Sequence, residues 1–111
     1  YNQAVLSGGM LFISGQIALV PGTPDLANAD IATETNQVML NLKAILTEAG
    51  MDFGNIVKTT IFLSDMNLFV QVNEVYGSYF SEDAGYPARE TVAVKGLPKN
   101  VNVEISMIAI K

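Results

Sequence analysis

Hydrophobic positions recur along this chain with two different periods, and each change of period marks a change of element. Residues 10–17, MLFISGQI, are a short apolar run rich in β-type side chains, and Ser7-Gly8-Gly9 before it reads as a tight turn. The pattern predicts a hairpin that pairs residues 3–6 with 10–14. Pro21, Gly22, Thr23, Pro24 and Asp25 punctuate a loop. Asp30 then stands as an N-cap before Ile31, Val38, Leu42, Ile45, Leu46 and Ala49, which recur at helical spacing, and Gly50 suits the left-handed position after the last turn. A helix is predicted over 31–49. From Asn55 to Ser64 the period falls to two, with Val57, Thr59, Ile61 and Leu63 pointing one way and Lys58, Thr60, Phe62 and Ser64 the other, as in a strand. Asp65 caps a second helix with an apolar stripe of Leu68, Phe69, Val72, Val75, Tyr76 and Tyr79. Ser81 to Pro87 is loop, and residues 88–95 and 101–110 are two further strands joined by Gly96 to Asn100. The predicted order is β-β-α-β-α-β-β in one domain over residues 1–111. Two helices with one apolar stripe each belong on one face of a single mixed sheet, an α+β arrangement.

Alternation in the last two strands brings in the chemistry. Arg89, Thr91, Ala93 and Lys95 share one face and Glu90, Val92 and Val94 the other; Val101, Val103, Ile105 and Met107 share one face and Asn102, Glu104 and Ser106 the other. Packing the apolar faces on the helices leaves a partly polar face, on which Arg89 and Glu104 are expected to meet across neighbouring strands. Two readings of that pair stay open. It is a structural ion pair, the commoner case, or Arg89 holds a ligand carboxylate while Glu104 directs a water.

Composition changes the picture in two ways. Arg89 is the only arginine, and the chain has no histidine and no cysteine. A Ser-His-Asp triad, a thiol nucleophile and a usual zinc site are therefore excluded. Chemistry must come from Arg, carboxylates, hydroxyls, Lys, backbone amides and water. The net charge is −5, with 11 acidic and 6 basic residues, and the lysines at 43, 58, 95, 99 and 111 are scattered. This argues against a nucleic-acid partner, which needs clustered cations. Half the residues are hydrophobic, enough for a core with apolar surface left for another subunit. No apolar run approaches the roughly 20 residues of a membrane span. The absence of cysteine fits a reducing compartment, and a cytoplasmic location is expected.

Other candidates are individually weaker. Ser14-Gly15-Gln16 ends an apolar strand, where a glycine lets a ligand approach the backbone and Ser14 offers a hydroxyl. Asn73 lies inside the second helix, where an amide is a mediocre helix former, and reads by default as an exposed helix position. Tyr1, Tyr76, Tyr79 and Tyr86 read by default as core or interface residues.

With Ser14-Gly15-Gln16, Val57-Lys58-Thr59-Thr60, the run of Val72, Asn73, Tyr76, Tyr79 and Phe80, then Pro87-Ala88-Arg89, and Leu97-Pro98-Lys99 followed by Ile105, the chain resembles the Rid (YjgF) family of reactive-intermediate deaminases. The match runs in order over essentially the whole length. The opening Tyr1-x-Gln3-Ala4 is similar to the family's usual start, which implies a short N-terminal segment before it. The resemblance implies a chorismate-mutase-like fold and a homotrimer whose sheets line a central barrel, with clefts between subunits. It also implies hydrolysis of the enamines and imines 2-aminoacrylate, 2-iminopropanoate and 2-iminobutanoate to 2-oxo acids and ammonia, with no metal or organic cofactor. By resemblance Arg89 binds the substrate carboxylate, Glu104 positions or activates the water, and Tyr1, Ser14, Gly15 and Asn73 line the site. Three positions depart from the pattern: Glu90 replaces a small residue, Ala93 a frequent Glu and Gly96 a frequent Arg. Strand alternation turns Glu90 away from Arg89. A module that binds small 2-oxo acids without turning them over, and an endoribonuclease, remain the alternative functions; net charge and the missing histidine weigh against the second.

Overall fold

Gly8 and Gly9, both with positive φ (56° and 80°), close a two-residue turn between β1 (Ala4–Ser7) and β2 (Met10–Gln16), so Ser7 pairs with Met10 and the predicted hairpin forms. Side chains with a Cβ are strained in that conformation, which is why the turn needs both glycines. This computed structural model describes residues 2–111; the expectation for Tyr1 lies outside the described residues. Helix α1 (Ile31–Glu48) starts where Asp30 accepts a 2.7 Å hydrogen bond from the Thr33 amide, which holds the Asp30 carboxyl below the usual carboxylate range. It is followed by β3 (Ile56–Leu63). Asp65 caps a 3-10 turn over Met66–Leu68 that runs into α2 (Phe69–Gly77). The chain ends with β4 (Ala88–Ala93) and β5 (Val103–Ile110).

The five strands form one mixed sheet in the order β1-β2-β5-β3-β4; β3 and β4 run parallel and the other neighbours antiparallel. Parallel pairing of β3 and β4 follows from the helix between them, since a crossover returns the chain to the same end of the sheet. The expectation that β4 and β5 are neighbours is therefore corrected: β3 lies between them. Both helices cover one face, as predicted. Val38, Met39, Leu42 and Leu46 of α1 and Val72 and Tyr76 of α2 are buried with Leu11, Ile13, Ile61, Leu63, Val103, Ile105 and Met107 of the sheet. One alternation is shifted. The β3–β5 register slips between Ile56 and Lys58, so Ile56 takes the core position and Val57 is left 43% exposed.

Two features beyond the predicted pattern position the site. Glu34, in the first turn of α1, is fully buried and accepts hydrogen bonds from the backbone amides of Asn102 (2.8 Å) and Val103 (3.1 Å) and from Asn102 Nδ2 (3.1 Å). It pins the start of β5 to the helix layer. The second feature is the face of the sheet without helices. Val5, Phe12, Val92 and Ile110 are all more than two-fifths exposed there, among the polar side chains of Lys58, Thr60, Glu90, Glu104 and Ser106. Among the described residues no helix is long and apolar enough to cross a membrane.

Candidate active site

Arg89 lies opposite Thr59 in the parallel β3–β4 pair, and Thr59 in turn lies opposite the buried Met107. Paired residues project to the same side, so Arg89 projects to the helix-bearing side of the sheet, at its edge. Phe69, Asn73 and Tyr76 occupy one face of α2 at spacings of four and three, and all three meet the guanidinium. It donates a hydrogen bond to Asn73 Oδ1, and its carbon lies 5.5 Å from the Phe69 ring centroid and 5.3 Å from that of Tyr76. Tyr76 is itself fixed by a 3.0 Å hydrogen bond from its hydroxyl to Thr59 Oγ1, and burial raises its pKa. The guanidinium is thus held by one N–H and two rings, while Arg89 as a residue stays exposed. Among the described residues the guanidinium makes no other hydrogen bond, which leaves N–H groups that can fork onto a carboxylate. Two residues along the same face, Thr91 has a buried hydroxyl with no hydrogen-bond partner among the described residues.

Glu104 lies opposite Phe62 and projects to the helix-free face. Its carboxyl is pushed above the usual carboxylate range by partial burial. Gly15 is the reason it fits: a Cβ at position 15 would overlap the Glu104 carboxylate. The β2–β5 register slips between Ile13 and Gln16, which takes Ser14 and Gly15 out of the ladder with β5 and brings their backbone beside that carboxylate. Ser14 is tied to the segment before β1, its amide donating to the Gln3 carbonyl (2.9 Å) and its hydroxyl to the Asn2 carbonyl (2.7 Å). The hydroxyl keeps only acceptor capacity for a ligand. Ser14, Gly15, Glu104 and Lys99 line a groove of ≈ 810 Å³ that continues along α1 past Asn41, Ile45 and Glu48.

Arg89 and Glu104 therefore do not share a face, which corrects the sequence expectation. The expectation assumed that Val92 and Val94 face the helices. On the edge strand β4 the opposite side does so, because Arg89 and Thr91 pack toward α2, and Val92 stays 45% exposed on the helix-free face. Within one chain the candidate residues form two half-sites, Arg89 with Asn73 on one side of the sheet and Glu104 with Ser14 and Gly15 on the other. Glu90 does turn away from Arg89. It accepts hydrogen bonds from Lys58 Nζ (3.1 Å) and Thr60 Oγ1 (3.2 Å), which hold its carboxyl below the usual range. Phe69 and Tyr76 as the seat of the guanidinium were not assigned from sequence, although their spacing from Asn73 contained the signal. Among the described residues no group of three or more carboxylates gathers where a metal ion could sit.

The chain is thus a small α+β domain, with two helices on one face of a single mixed five-stranded sheet. The family model described as Endoribonuclease L-PSP matches residues 1–111, and the chain belongs to that family, which includes the Rid and YjgF proteins. It is 43% identical over 111 residues to the human 2-iminobutanoate/2-iminopropanoate deaminase, covering 100% of this chain and 80% of the relative. A solved structure of the Rid-family protein YyfA from Yersinia pestis superposes with a TM-score of 0.95 at 46% identity, covering 100% of this chain and 87% of that one. The Escherichia coli protein TdcF, solved with bound serine, superposes with a TM-score of 0.93 at 43% identity, with the same coverage.

Proposed function

We propose that this protein hydrolyses small 2-imino acids and their enamine tautomers, such as 2-aminoacrylate, 2-iminopropanoate and 2-iminobutanoate, to 2-oxo acids and ammonia, in clefts between the subunits of a homotrimer. The observation that carries this reading is the seated guanidinium of Arg89, with its free N–H groups, in a chain whose other half-site presents a partly buried carboxyl beside an open glycine backbone. The named activity of the human relative and the amino acid bound to TdcF support the ligand class.

The chemistry needs little more. Arg89 fixes the substrate carboxylate through two parallel hydrogen bonds, with Asn73 holding the guanidinium in orientation. A 2-imino carbon is already electrophilic, so positioning and proton transfer supply most of the acceleration. An enamine first takes a proton at its terminal carbon and loses one from nitrogen to become the imine. Glu104 accepts a proton from water as the oxygen bonds to the imine carbon and the C=N π electrons move to nitrogen. It returns that proton to the nitrogen to give a carbinolamine, then takes the proton of the new hydroxyl and passes it to the nitrogen as the C=O bond forms and the C–N bond breaks, so that ammonia and the 2-oxo acid leave. A carboxyl whose pKa is raised toward neutrality suits both transfers, because its carboxylate is a stronger base toward water while the acid can still return the proton.

Two half-sites on opposite faces of a sheet cannot act on one small molecule within one chain, so the reading includes assembly. The helix-free face, with Val5, Phe12, Val92 and Ile110 exposed, supplies an apolar surface of the kind that subunits bury. A cytoplasmic location is part of the proposal, in keeping with a chain that has no cysteine. The test is a coupled assay with 2-iminobutanoate and 2-iminopropanoate generated in place. Wild-type protein is expected to speed ammonia release, and Arg89→Ala to lose at least about a hundredfold in kcat/KM, the worth of one charged bidentate grip. Full activity in Arg89→Ala contradicts the reading. Binding of 2-oxobutanoate with no turnover favours the module that only binds.

A further inference from the structure

The groove that holds Ser14, Gly15 and Glu104 poses an electrostatic problem for an anionic substrate. Its charged lining residues are Glu48, Glu104 and Lys99, on a chain of net charge −5. An incoming carboxylate meets two like charges and one cation. Lys99 belongs to the 3-10 turn Pro98–Asn100, and its backbone is left-handed (φ 54°), as is that of Asn100 (φ 55°). Two consecutive residues other than glycine in this region cost on the order of 1 kcal/mol each. The turn is nonetheless held, by hydrogen bonds from the amides of Asn100 to Leu97 O (3.1 Å) and Val101 to Pro98 O (3.2 Å), and by the Glu34 bonds to Asn102 and Val103 just beyond it. The only ion pair among the described residues is Lys58 with Glu90, so the charge of Lys99 is not spent on a carboxylate of its own chain.

We propose that Lys99 is the recruiting cation of the cleft: it offsets Glu104 and Glu48 in the groove lining and so admits small carboxylates to a cleft that Arg89 of the partner subunit completes. This rests on the deaminase reading for its substrate class and adds a specificity residue to it. Lys99 acts on encounter and binding, not on the reacting atoms. Charge of the complementary sign in a cleft raises the association of an anion, by about tenfold upward where one sign lines it, and the effect fades with salt.

The experiment compares wild type with Lys99→Glu, Lys99→Asn and Lys99→Arg; Asn removes the charge yet accepts a left-handed backbone readily. Lys43→Glu, an exposed position of α1 outside the groove lining, makes the same change in net charge and serves as control. Each is assayed on 2-iminobutanoate at about 0.01 M and about 1 M salt, where the Debye length falls from about 30 Å to about 3 Å. The expected result at low salt is a fall in kcat/KM of about tenfold for Lys99→Glu and about threefold for Lys99→Asn, carried by KM. Lys99→Arg should stay near wild type, and the gap should close at high salt. A Lys99→Glu loss that equals that of Lys43→Glu, persists at high salt or resides in kcat overturns the inference and leaves the deaminase reading standing. If wild type does not deaminate, calorimetric binding of 2-oxobutanoate reads the same comparison, and absence of both turnover and binding overturns the two together.

Discussion

Arg89 and Glu104 are prepared in different ways. The guanidinium is aimed by neutral groups of α2, namely the Asn73 amide and the Phe69 and Tyr76 rings, so its charge remains available to a ligand. The Glu104 carboxyl is instead shifted by burial, above the ordinary 4.5. The sign of that shift has a consequence for stability. The folded chain holds the Glu104 proton more tightly than the unfolded chain, so folding becomes less favourable as pH rises from the unfolded value to the folded one, and the cost is fully present above both. In Glu104→Gln this dependence disappears. Thermal unfolding should give nearly equal Tm values for the variant and wild type below about pH 4, with a difference opening in favour of the variant as pH rises through the carboxylate range. A Tm difference that stays constant with pH would show that Glu104 is not the group concerned. The same variant should keep 2-oxobutanoate binding and lose turnover, which separates the water-directing role of Glu104 from a binding role.

At the scale of elements, Glu34 is the clearest case of a residue whose importance lies in a contact distant in sequence. Its carboxylate satisfies two backbone amides at the start of β5, sixty-eight and sixty-nine residues away. Truncating it strands both amides in a buried setting, and Glu34→Ala should cost about 3 kcal/mol or more in denaturant unfolding; a loss below about 1 kcal/mol would mean that water replaces the carboxylate. Nothing local in the sequence marks this, because an acidic residue in the first turn of a helix is ordinary. What was legible was local. Gly8-Gly9 fixed the hairpin, Asp30 the start of α1, and the period-two pattern of β3 was right from Thr59 onward. The slip at Ile56–Lys58 and the order of β5, β3 and β4 depend on pairing, which alternation does not encode. For the same reason the face of β4 was read the wrong way round. Its valines suggested the core side, but Arg89 and Thr91 take the side toward α2, and Val92 is left exposed on the helix-free face.

At the scale of the whole molecule, the split between the half-sites governs everything else. The sheet stands between the two half-sites, so under the proposed function a single chain offers the carboxylate grip of Arg89 without Glu104 beside it. The sequence resemblance anticipated clefts between subunits, whereas strand alternation alone put both residues on one face of one chain. The measurement that separates these possibilities most directly is complementation. Arg89→Ala and Glu104→Gln are each expected to be inactive. When they are mixed and allowed to exchange subunits, a cleft between chains is whole whenever an intact Arg89 from one variant meets an intact Glu104 from the other. With random exchange in a closed homo-oligomer that holds for about a quarter of clefts, so recovery of about a quarter of wild-type deaminase activity is predicted. No recovery, with exchange verified by mass spectrometry of mixed oligomers, would contradict a site shared between subunits.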